Sequence, residues 1–214
     1  MIKAVIFDLD GTLLDTKGDI AASHNNGLRL FGFPERPLDD FNQIIGGGIM
    51  EAIRRSAPEG TPHETIVELN KIYQEYYPAH CAEKTIPYEG MVETVQKIGE
   101  AGIPMAIFTN KTEPTAVQLA ARFFPDTKFE FVWGNDGRRP LKPAPDAGFT
   151  AADILGLDAS EIAYVGDSDS DIYFALRAGM YAVGAVWGFR GREELEGAGA
   201  QLLAETPHDL LRIL

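Results

Sequence analysis

Short apolar runs recur along the chain, and each run stops at a turn that contains polar residues or glycine. The first run is Ala4-Val5-Ile6-Phe7, which is rich in β-forming residues and leads into Asp8-Leu9-Asp10-Gly11. A run of this kind is typical of a buried strand that ends in a loop. The pattern predicts five such strands, at residues 4–7, 105–108, 129–133, 162–165 and 181–187.

Apolar residues at helical spacing separate the later strands and predict four helices, in residues 91–101, 116–123, 149–155 and 172–176. Three of these patterns stop at a glycine, a common C-terminal cap. Strands that alternate with helices indicate βαβ units. We therefore predict an α/β fold with a Rossmann-like parallel sheet and helices on both of its faces.

One long stretch breaks this alternation. About 70 residues between Thr16 and Pro87 show no strand pattern, which is far too long for a loop in a compact domain. Apolar spacing predicts three helices there, around residues 20–31, 49–57 and 66–76, the last one closed by Pro78. The expected organisation is a small second domain made of helices, residues 16–87, inserted after the first strand of a core domain made of residues 1–15 and 88–214.

Composition and charge exclude several classes of protein. The 214 residues include 19 Lys and Arg against 32 Asp and Glu, which gives a net charge of −13. This balance argues against binding to nucleic acid and to anionic membranes, because both require a basic surface. The lone cysteine, Cys81, excludes an internal disulfide and an all-cysteine zinc site. No apolar stretch approaches the roughly 20 residues of a spanning helix, so we expect a cytoplasmic protein.

Two carboxylates follow the first predicted strand. Asp8 and Asp10 are two residues apart, and in an extended chain they face the same side. Two carboxylates this close require either a shared proton or a cation between them. Gly11 allows the backbone to turn tightly beside a ligand. The alternative interpretation is a solvated turn.

Two further strands are followed by groups that suit an anion. Thr109-Asn110 follows the strand at 105–108, where a hydroxyl and free backbone amides can bind an anionic oxygen. Lys142 lies in a loop stiffened by two prolines and can neutralise an anion. Taken singly, Thr109 could be a helix cap and Lys142 an ordinary surface lysine.

The strand at 162–165 leads into Gly166-Asp167-Ser168-Asp169-Ser170-Asp171. Hard cations such as Mg²⁺ bind carboxylate oxygens, so this segment is a candidate metal site. A calcium loop of the EF-hand type is excluded, because its sixth position requires Gly and its twelfth requires Glu. Those positions hold Ile172 and Ala178 here. An Asp-rich turn that only caps a helix remains the alternative.

Four features follow one another along the chain: Asp8-Leu9-Asp10-Gly11-Thr12, Thr109, Lys142, and Gly166-Asp167 with Asp171. In this order they resemble the four motifs of the haloacid dehalogenase-like phosphohydrolases. The resemblance covers the whole chain, since that family places a C1-type cap where the helical insertion falls. It implies that Asp8 is a nucleophile that becomes an aspartyl phosphate, and that Asp10 acts first as general acid and then as general base.

The same resemblance assigns the remaining site residues. Thr109 and Asn110 would hold the phosphoryl group, and Lys142 would neutralise it. Mg²⁺ would be bound by Asp8, the Asp10 carbonyl and Asp167, with Asp171 supporting either the metal or Lys142. The other residues expected to bind substrate or phosphate are Gly11, Thr12 and Gly47.

Residue identities also separate subfamilies. True dehalogenases and phosphonatases lack the second aspartate, so Asp10 favours phosphate esters. The cap segment Ile44-Ile45-Gly46-Gly47-Gly48 and the late segment Ala185-Val186-Trp187-Gly188-Phe189-Arg190 resemble phosphoglycolate phosphatases. β-Phosphoglucomutase-like enzymes have a cap histidine where this chain has Ile20. His24 lies nearby and is interpreted as a cap or core histidine.

We therefore expect a Mg²⁺-dependent phosphatase for phosphoglycolate, acting as a monomer or homodimer on a small phosphorylated metabolite. The alternatives left open are a phosphatase for a sugar phosphate or nucleotide, a phosphomutase and an inactive binding module.

Overall fold

The computed structural model describes residues 1–213 and shows a six-stranded parallel sheet. This confirms the predicted α/β fold. The sheet strands are β1 (Ala4–Phe7), β4 (Met105–Thr112), β5 (Phe129–Asn135), β6 (Ile162–Gly166), β7 (Tyr181–Ala185) and β8 (Leu202–Ala204). Their order across the sheet is β5-β4-β1-β6-β7-β8.

Apolar residues fill both faces of the sheet, which is why its central strands read as continuous apolar runs. In β1, Val5 and Phe7 pack into the apolar cluster on one face, whereas Ala4 and Ile6 pack into the cluster on the other. Helices cover these clusters. Those of the core are α5 (Met91–Glu100), α6 (Glu113–Phe123), α7 (Asp146–Leu155), α8 (Asp169–Ala178) and α9 (Arg192–Ala198).

The structure corrects several predicted boundaries. β4 runs to Thr112, four residues beyond its apolar part, because it continues to pair with β5 after a register shift. β7 ends at Ala185 rather than at residue 187. β8 and α9 were not predicted from the sequence, since three strand residues and one seven-residue helix carry too little periodic signal.

Residues 16–87, called the cap segment below, contain four helices. α1 (Lys17–Leu30) and α4 (His63–His80) pack side by side, with the shorter α2 (Phe41–Ile44) and α3 (Ile49–Ser56) between them in the chain. α4 does not end at Pro78, as the sequence suggested, but continues to His80. Pro78 is exposed on the last turn, where water can bond the carbonyl that it leaves free. In residues 1–213, no helix combines the length and the apolar character needed to cross a membrane.

The chain enters and leaves the cap segment at one place. The short strands β2 (Leu14–Asp15) and β3 (Ile86–Pro87) pair in antiparallel orientation. Beside them, the buried Asp19 carboxylate accepts hydrogen bonds from the amides of residues 83–85, at 2.9–3.0 Å, and from the Thr85 hydroxyl at 2.8 Å. The two connections are therefore fastened to each other.

Candidate active site

The polar residues predicted to act together meet at one edge of the sheet. Asp8 follows β1, Thr109 lies within β4 and Asp167 follows β6, and these three strands are neighbours in the order β4-β1-β6. Since parallel strands present their carboxyl ends at the same edge, the side chains converge there. They line a cavity that is closed on the opposite side by the cap segment.

Lys142 is the buried cation of the site. Its Nζ lies 2.8 Å from Asp8 Oδ1 and 2.6 Å from Asp171 Oδ1, and it donates to the Tyr164 hydroxyl at 2.8 Å. Burial alone would lower the pKa of Lys142, but the carboxylates of Asp171 and Asp8 outweigh it and raise the pKa above its usual value. The ammonium therefore stays charged beside Asp8.

Even with Lys142, carboxylates are in excess. Oxygens of Asp8, Asp167 and Asp171 all lie within 4.8 Å of one another, and all three residues are buried. Burial raises the pKa of Asp8 to about 6 and that of Asp167 well above its usual range, in each case reinforced by neighbouring carboxylates. Three carboxylates against one ammonium leave a negative surplus, which a divalent cation would neutralise.

The individual oxygens of this cluster also fit a cation. Asp8 Oδ1 is buried and accepts no well-aligned hydrogen bond, although Lys142 Nζ lies within ion-pair distance. Asp171 is better satisfied, because Ser168 donates to its Oδ2 from both the amide, at 3.0 Å, and the hydroxyl, at 2.6 Å. Hard carboxylate oxygens of this kind suit Mg²⁺.

Asp10 has its own pair of partners. Its Oδ1 accepts from the Thr16 hydroxyl at 2.7 Å, and Lys111 Nζ donates to both of its oxygens at 2.8 and 3.0 Å. Lys111 is buried, and its ammonium lies 4.6 Å from the centre of the Tyr77 ring. Lys111 was not predicted from the sequence. Its position in the sequence could have identified it, because Lys111 lies two residues after Thr109 and the two side chains therefore lie on the same side of β4.

Thr109 and Asn110 lie side by side at the cavity, but their contacts differ. Thr109 is buried, and its hydroxyl accepts from the Lys111 amide at 3.3 Å. Asn110 brackets the backbone of Lys142: its Oδ1 accepts from the Lys142 amide at 2.8 Å and its Nδ2 donates to the Lys142 carbonyl at 3.2 Å. The Asn110 side chain therefore fixes the approach of Lys142.

Of the other predicted substrate contacts, Gly47 lines the cavity, whereas Gly11 and Thr12 lie beneath Asp167 and outside the lining. Gly11 has a φ of +82°, and a Cβ there would overlap the Asp167 carboxylate. The buried Thr12 hydroxyl donates to Asp167 Oδ1 at 3.3 Å. These two residues therefore support Asp167 directly.

The loop after β7 also contacts the Asp167 carboxylate. Phe189 donates its amide to Asp167 Oδ2 at 2.8 Å, and Trp187 Nε1 donates to the Thr12 carbonyl at 2.9 Å. The next side chain, Arg190, lines the cavity. The late aromatic segment noted in the sequence is thus part of the site.

His24 lies at the cap side of the cavity and packs against Phe41 and Tyr73, with ring centres 5.4 and 4.8 Å away. One of its nitrogens, Nδ1, lies 3.0 Å from the Ser56 hydroxyl. Burial lowers the pKa of His24 to about 3, so its ring is neutral in the folded protein near neutral pH. It packs inside the cap segment, as its position in the sequence suggested.

Several known proteins resemble this chain in sequence. Residues 5–185 match the family described as haloacid dehalogenase-like hydrolase. The phosphoglycolate phosphatase of Neisseria meningitidis is 33% identical over 192 residues, which cover 88% of this chain and 82% of that protein. The phosphoglycolate phosphatase of Aquifex aeolicus is 26% identical, covering 100% of this chain and 97% of its own length.

Solved structures show the same fold. A protein of Lactobacillus delbrueckii subsp. bulgaricus superimposes with a TM-score of 0.92 at 28% identity, over 99% of this chain and 98% of that one. CbbY from Rhodobacter sphaeroides, solved in complex with phosphate, gives a TM-score of 0.78 at 25% identity, over 98% of this chain and 96% of its own.

Proposed function

Because this chain belongs to the haloacid dehalogenase-like hydrolase family, we propose that it is a phosphatase that converts 2-phosphoglycolate to glycolate and phosphate. The observation that carries the proposal is the buried pairing of Asp8 with Lys142, at 2.8 Å, in a cavity that Thr109 and Asn110 also line. A carboxylate nucleophile, a fixed cation and hydrogen-bonding groups are together what phosphoryl transfer requires.

In the first half of the proposed reaction, an oxygen of Asp8 attacks the phosphorus atom. The bond from phosphorus to the ester oxygen breaks, and that oxygen takes a proton from Asp10. Lys142 balances the charge of Asp8 and of the incoming phosphoryl group, while Thr109 and Asn110 orient it. The products of this half are the free alcohol and an aspartyl phosphate.

In the second half, Asp10 is a carboxylate and takes a proton from water. The water oxygen bonds to phosphorus, the bond to Asp8 breaks, and inorganic phosphate leaves. Lys111 and Thr16 hold the Asp10 side chain at the distances given above, an arrangement that suits the carboxylate form of the second half.

We further propose that Asp8 and Asp167, supported by Asp171, hold Mg²⁺. When bound, the ion neutralises charge on the phosphoryl oxygens. The negative surplus of the buried carboxylates supports this assignment, and the acid–base steps above use only the side chains of the chain itself.

The choice of substrate rests on the cap segment. We propose that it acts as a cap domain, residues 16–87, over a core of residues 1–15 and 88–214. Its cavity-lining part includes Gly46, Gly47 and Gly48, all with positive φ. A loop without side chains lets backbone amides approach a small anionic leaving group such as glycolate. Relatives named phosphoglycolate phosphatase, at 26–33% identity, support the same choice.

A panel of phosphate esters, assayed for phosphate release with Mg²⁺ and again after EDTA treatment, tests this function. We expect 2-phosphoglycolate to have the highest kcat/KM, at least about tenfold above ethyl phosphate, which has a methyl group in place of the carboxylate. EDTA should abolish turnover of both esters. A higher kcat/KM for a sugar phosphate or a nucleotide would contradict the substrate, and no turnover of any ester would contradict the activity.

A further inference from the structure

Arg190 makes the most extensive set of polar contacts that crosses from the core to the cap segment. Its Nη2 donates to the Ile45 carbonyl at 2.8 Å and lies 3.5 Å from the Gln43 carbonyl, and its Nη1 contacts the Gln43 side chain. The side chain is only 11% exposed and lines the cavity. None of these contacts is needed for the chemistry proposed above, so they require a separate explanation.

The backbone that carries Arg190, at Gly188 and Phe189, is held firmly against the core. At Gly188 a Cβ would overlap both Asp167 and the Gly11 carbonyl, so this backbone lies directly on the loop that carries the proposed metal ligand. The next residue, Phe189, donates its amide to Asp167 at 2.8 Å. Two adjacent residues therefore have complementary roles, since the backbone of Phe189 holds Asp167 and the side chain of Arg190 holds the cap segment.

On the cap side, the contacted loop is the one that ends in three glycines. Arg55, from within the cap segment, donates to carbonyls of the same loop at 3.3–3.4 Å, at Gln43, Ile44 and Gly46. The loop also packs closely against the core, because a Cβ added at Gly48 would lie only 2.8 Å from Leu141 Cδ1. Arg55 thus shapes the loop from inside the cap segment, whereas Arg190 attaches it to the core.

We propose that Arg190 is a positioning residue that holds the glycine loop of the cap segment over the active site, in register with Asp167. Its planar guanidinium can bond several carbonyl and amide oxygens at once, which a lysine cannot reproduce. Without it, the closed arrangement is less populated, and substrate binding has to restore it. The apparent dissociation constant equals the intrinsic one divided by the fraction of molecules in the closed arrangement. A smaller closed fraction therefore raises KM, whereas kcat at saturating substrate is kept.

The test compares Arg190→Met, Arg190→Lys and the matched control Arg192→Met, which removes a guanidinium two residues away. Each variant is checked for an unchanged melting transition. For Arg190→Met we expect a KM for 2-phosphoglycolate raised about tenfold and a kcat within about twofold of the original. Arg190→Lys should restore little of this loss. Arg192→Met should change KM by less than about threefold, because the ion pairs of Arg192, with Glu196 and Glu205, lie within the core.

A second measurement does not depend on the substrate. Hydrogen–deuterium exchange in the unliganded protein should become faster across residues 43–48 in Arg190→Met and in Arg190→Lys. Unchanged exchange would overturn the inference. Full rescue of KM by Arg190→Lys would also overturn it, because a point charge would then be sufficient. The kinetic part rests on the proposed function: if the unmodified enzyme does not hydrolyse 2-phosphoglycolate, that function fails, and the exchange result still decides the role of Arg190.

Discussion

The core and the cap segment face the same cavity with different chemistry. The core contributes six charged side chains, fixed by ion pairs and hydrogen bonds: Asp8, Asp10, Lys111, Lys142, Asp167 and Arg190. The cap segment contributes aliphatic and aromatic side chains, one histidine and three glycines; none of its lining residues within 1–213 is a lysine, an arginine or an acid. The phosphoryl group is the same in every phosphate ester, so it is bound by fixed charges. The leaving group varies, and it is met by the glycine loop and by apolar side chains.

The largest effect should come from the core. Asp8→Asn removes the nucleophilic carboxylate, so kcat for 2-phosphoglycolate should fall by at least about 10⁴-fold while the fold is kept. Asp169→Asn is the matched control, because it removes the same charge at an exposed position two residues from Asp167. It should stay within about twofold in a phosphate-release assay. Substantial turnover by Asp8→Asn would rule out the covalent route.

A second core substitution should separate leaving groups. Asp10→Asn cannot protonate the departing oxygen, so kcat/KM for ethyl phosphate should fall about 10²–10⁴-fold. p-Nitrophenyl phosphate has a leaving group that needs no proton, and its loss should be at least about tenfold smaller. Steady-state kinetics on the two esters provides an internal control for folding. Equal losses would mean that the acid lies elsewhere.

The effect of a cap substitution should be smaller and should depend on the substrate. Gly47→Ala forces a Cβ onto a backbone with φ of +70° at the cavity. We expect KM for 2-phosphoglycolate to rise about fivefold and kcat/KM for p-nitrophenyl phosphate to change less than twofold. Gly60→Ala is the control, with φ of +79° and open space around it. It should lose similar stability, about 1 kcal/mol, without a change in KM. Equal KM changes in both variants would make the loop purely structural.

The smallest expected effect is on stability, and it does not change activity at neutral pH. The His24 ring is neutral when folded down to about pH 3, but in the unfolded chain it takes up a proton below about 6.5. The unfolded state then binds more protons, so this contribution to stability is present above pH 6.5 and is lost as the pH falls. Between pH 7 and pH 5 the loss should be about 2 kcal/mol.

Urea unfolding of the original protein and of His24→Asn at both pH values measures this contribution. The asparagine variant should be less stable at pH 7 but should lose about 2 kcal/mol less on moving to pH 5. Parallel losses in the two proteins would show that His24 is protonated in the folded cap segment.

The sequence predicted the part of the site that follows from strand order. Asp8 and Asp167 each come directly after an apolar run, and parallel pairing brings such positions to one edge of a sheet. Lys142 comes from a loop rather than from a strand end, and its place in the order of the motifs suggested its role. The identification of the fold needed no more than the alternation of strands and helices.

What the sequence did not predict depends on long-range contacts. Lys111 was overlooked because β4 was expected to stop at Phe108, whereas pairing with β5 carries it to Thr112. The contact of Arg190 with Gln43 joins residues 147 positions apart, and no local pattern predicts such a pair. The roles of Gly11 and Thr12 depend on how the backbone folds beneath Asp167, which periodicity does not reveal.

The hydrogen bonds of Asp19 to the amides of residues 83–85 have a consequence for how the cap segment can move. Two independent linkers would let the cap segment both bend and twist relative to the sheet. Here the crossings at Leu14–Asp15 and Ile86–Pro87 are paired, and Asp19 pins the amides of residues 83–85 beside them. We therefore expect the junction to act as a single pivot, so that opening is a swing about one axis. Distances from several pairs of spin labels between α3 and α6 should then broaden in Arg190→Met in a way that one rotation fits, whereas the distances in Asp19→Asn should require an added twist.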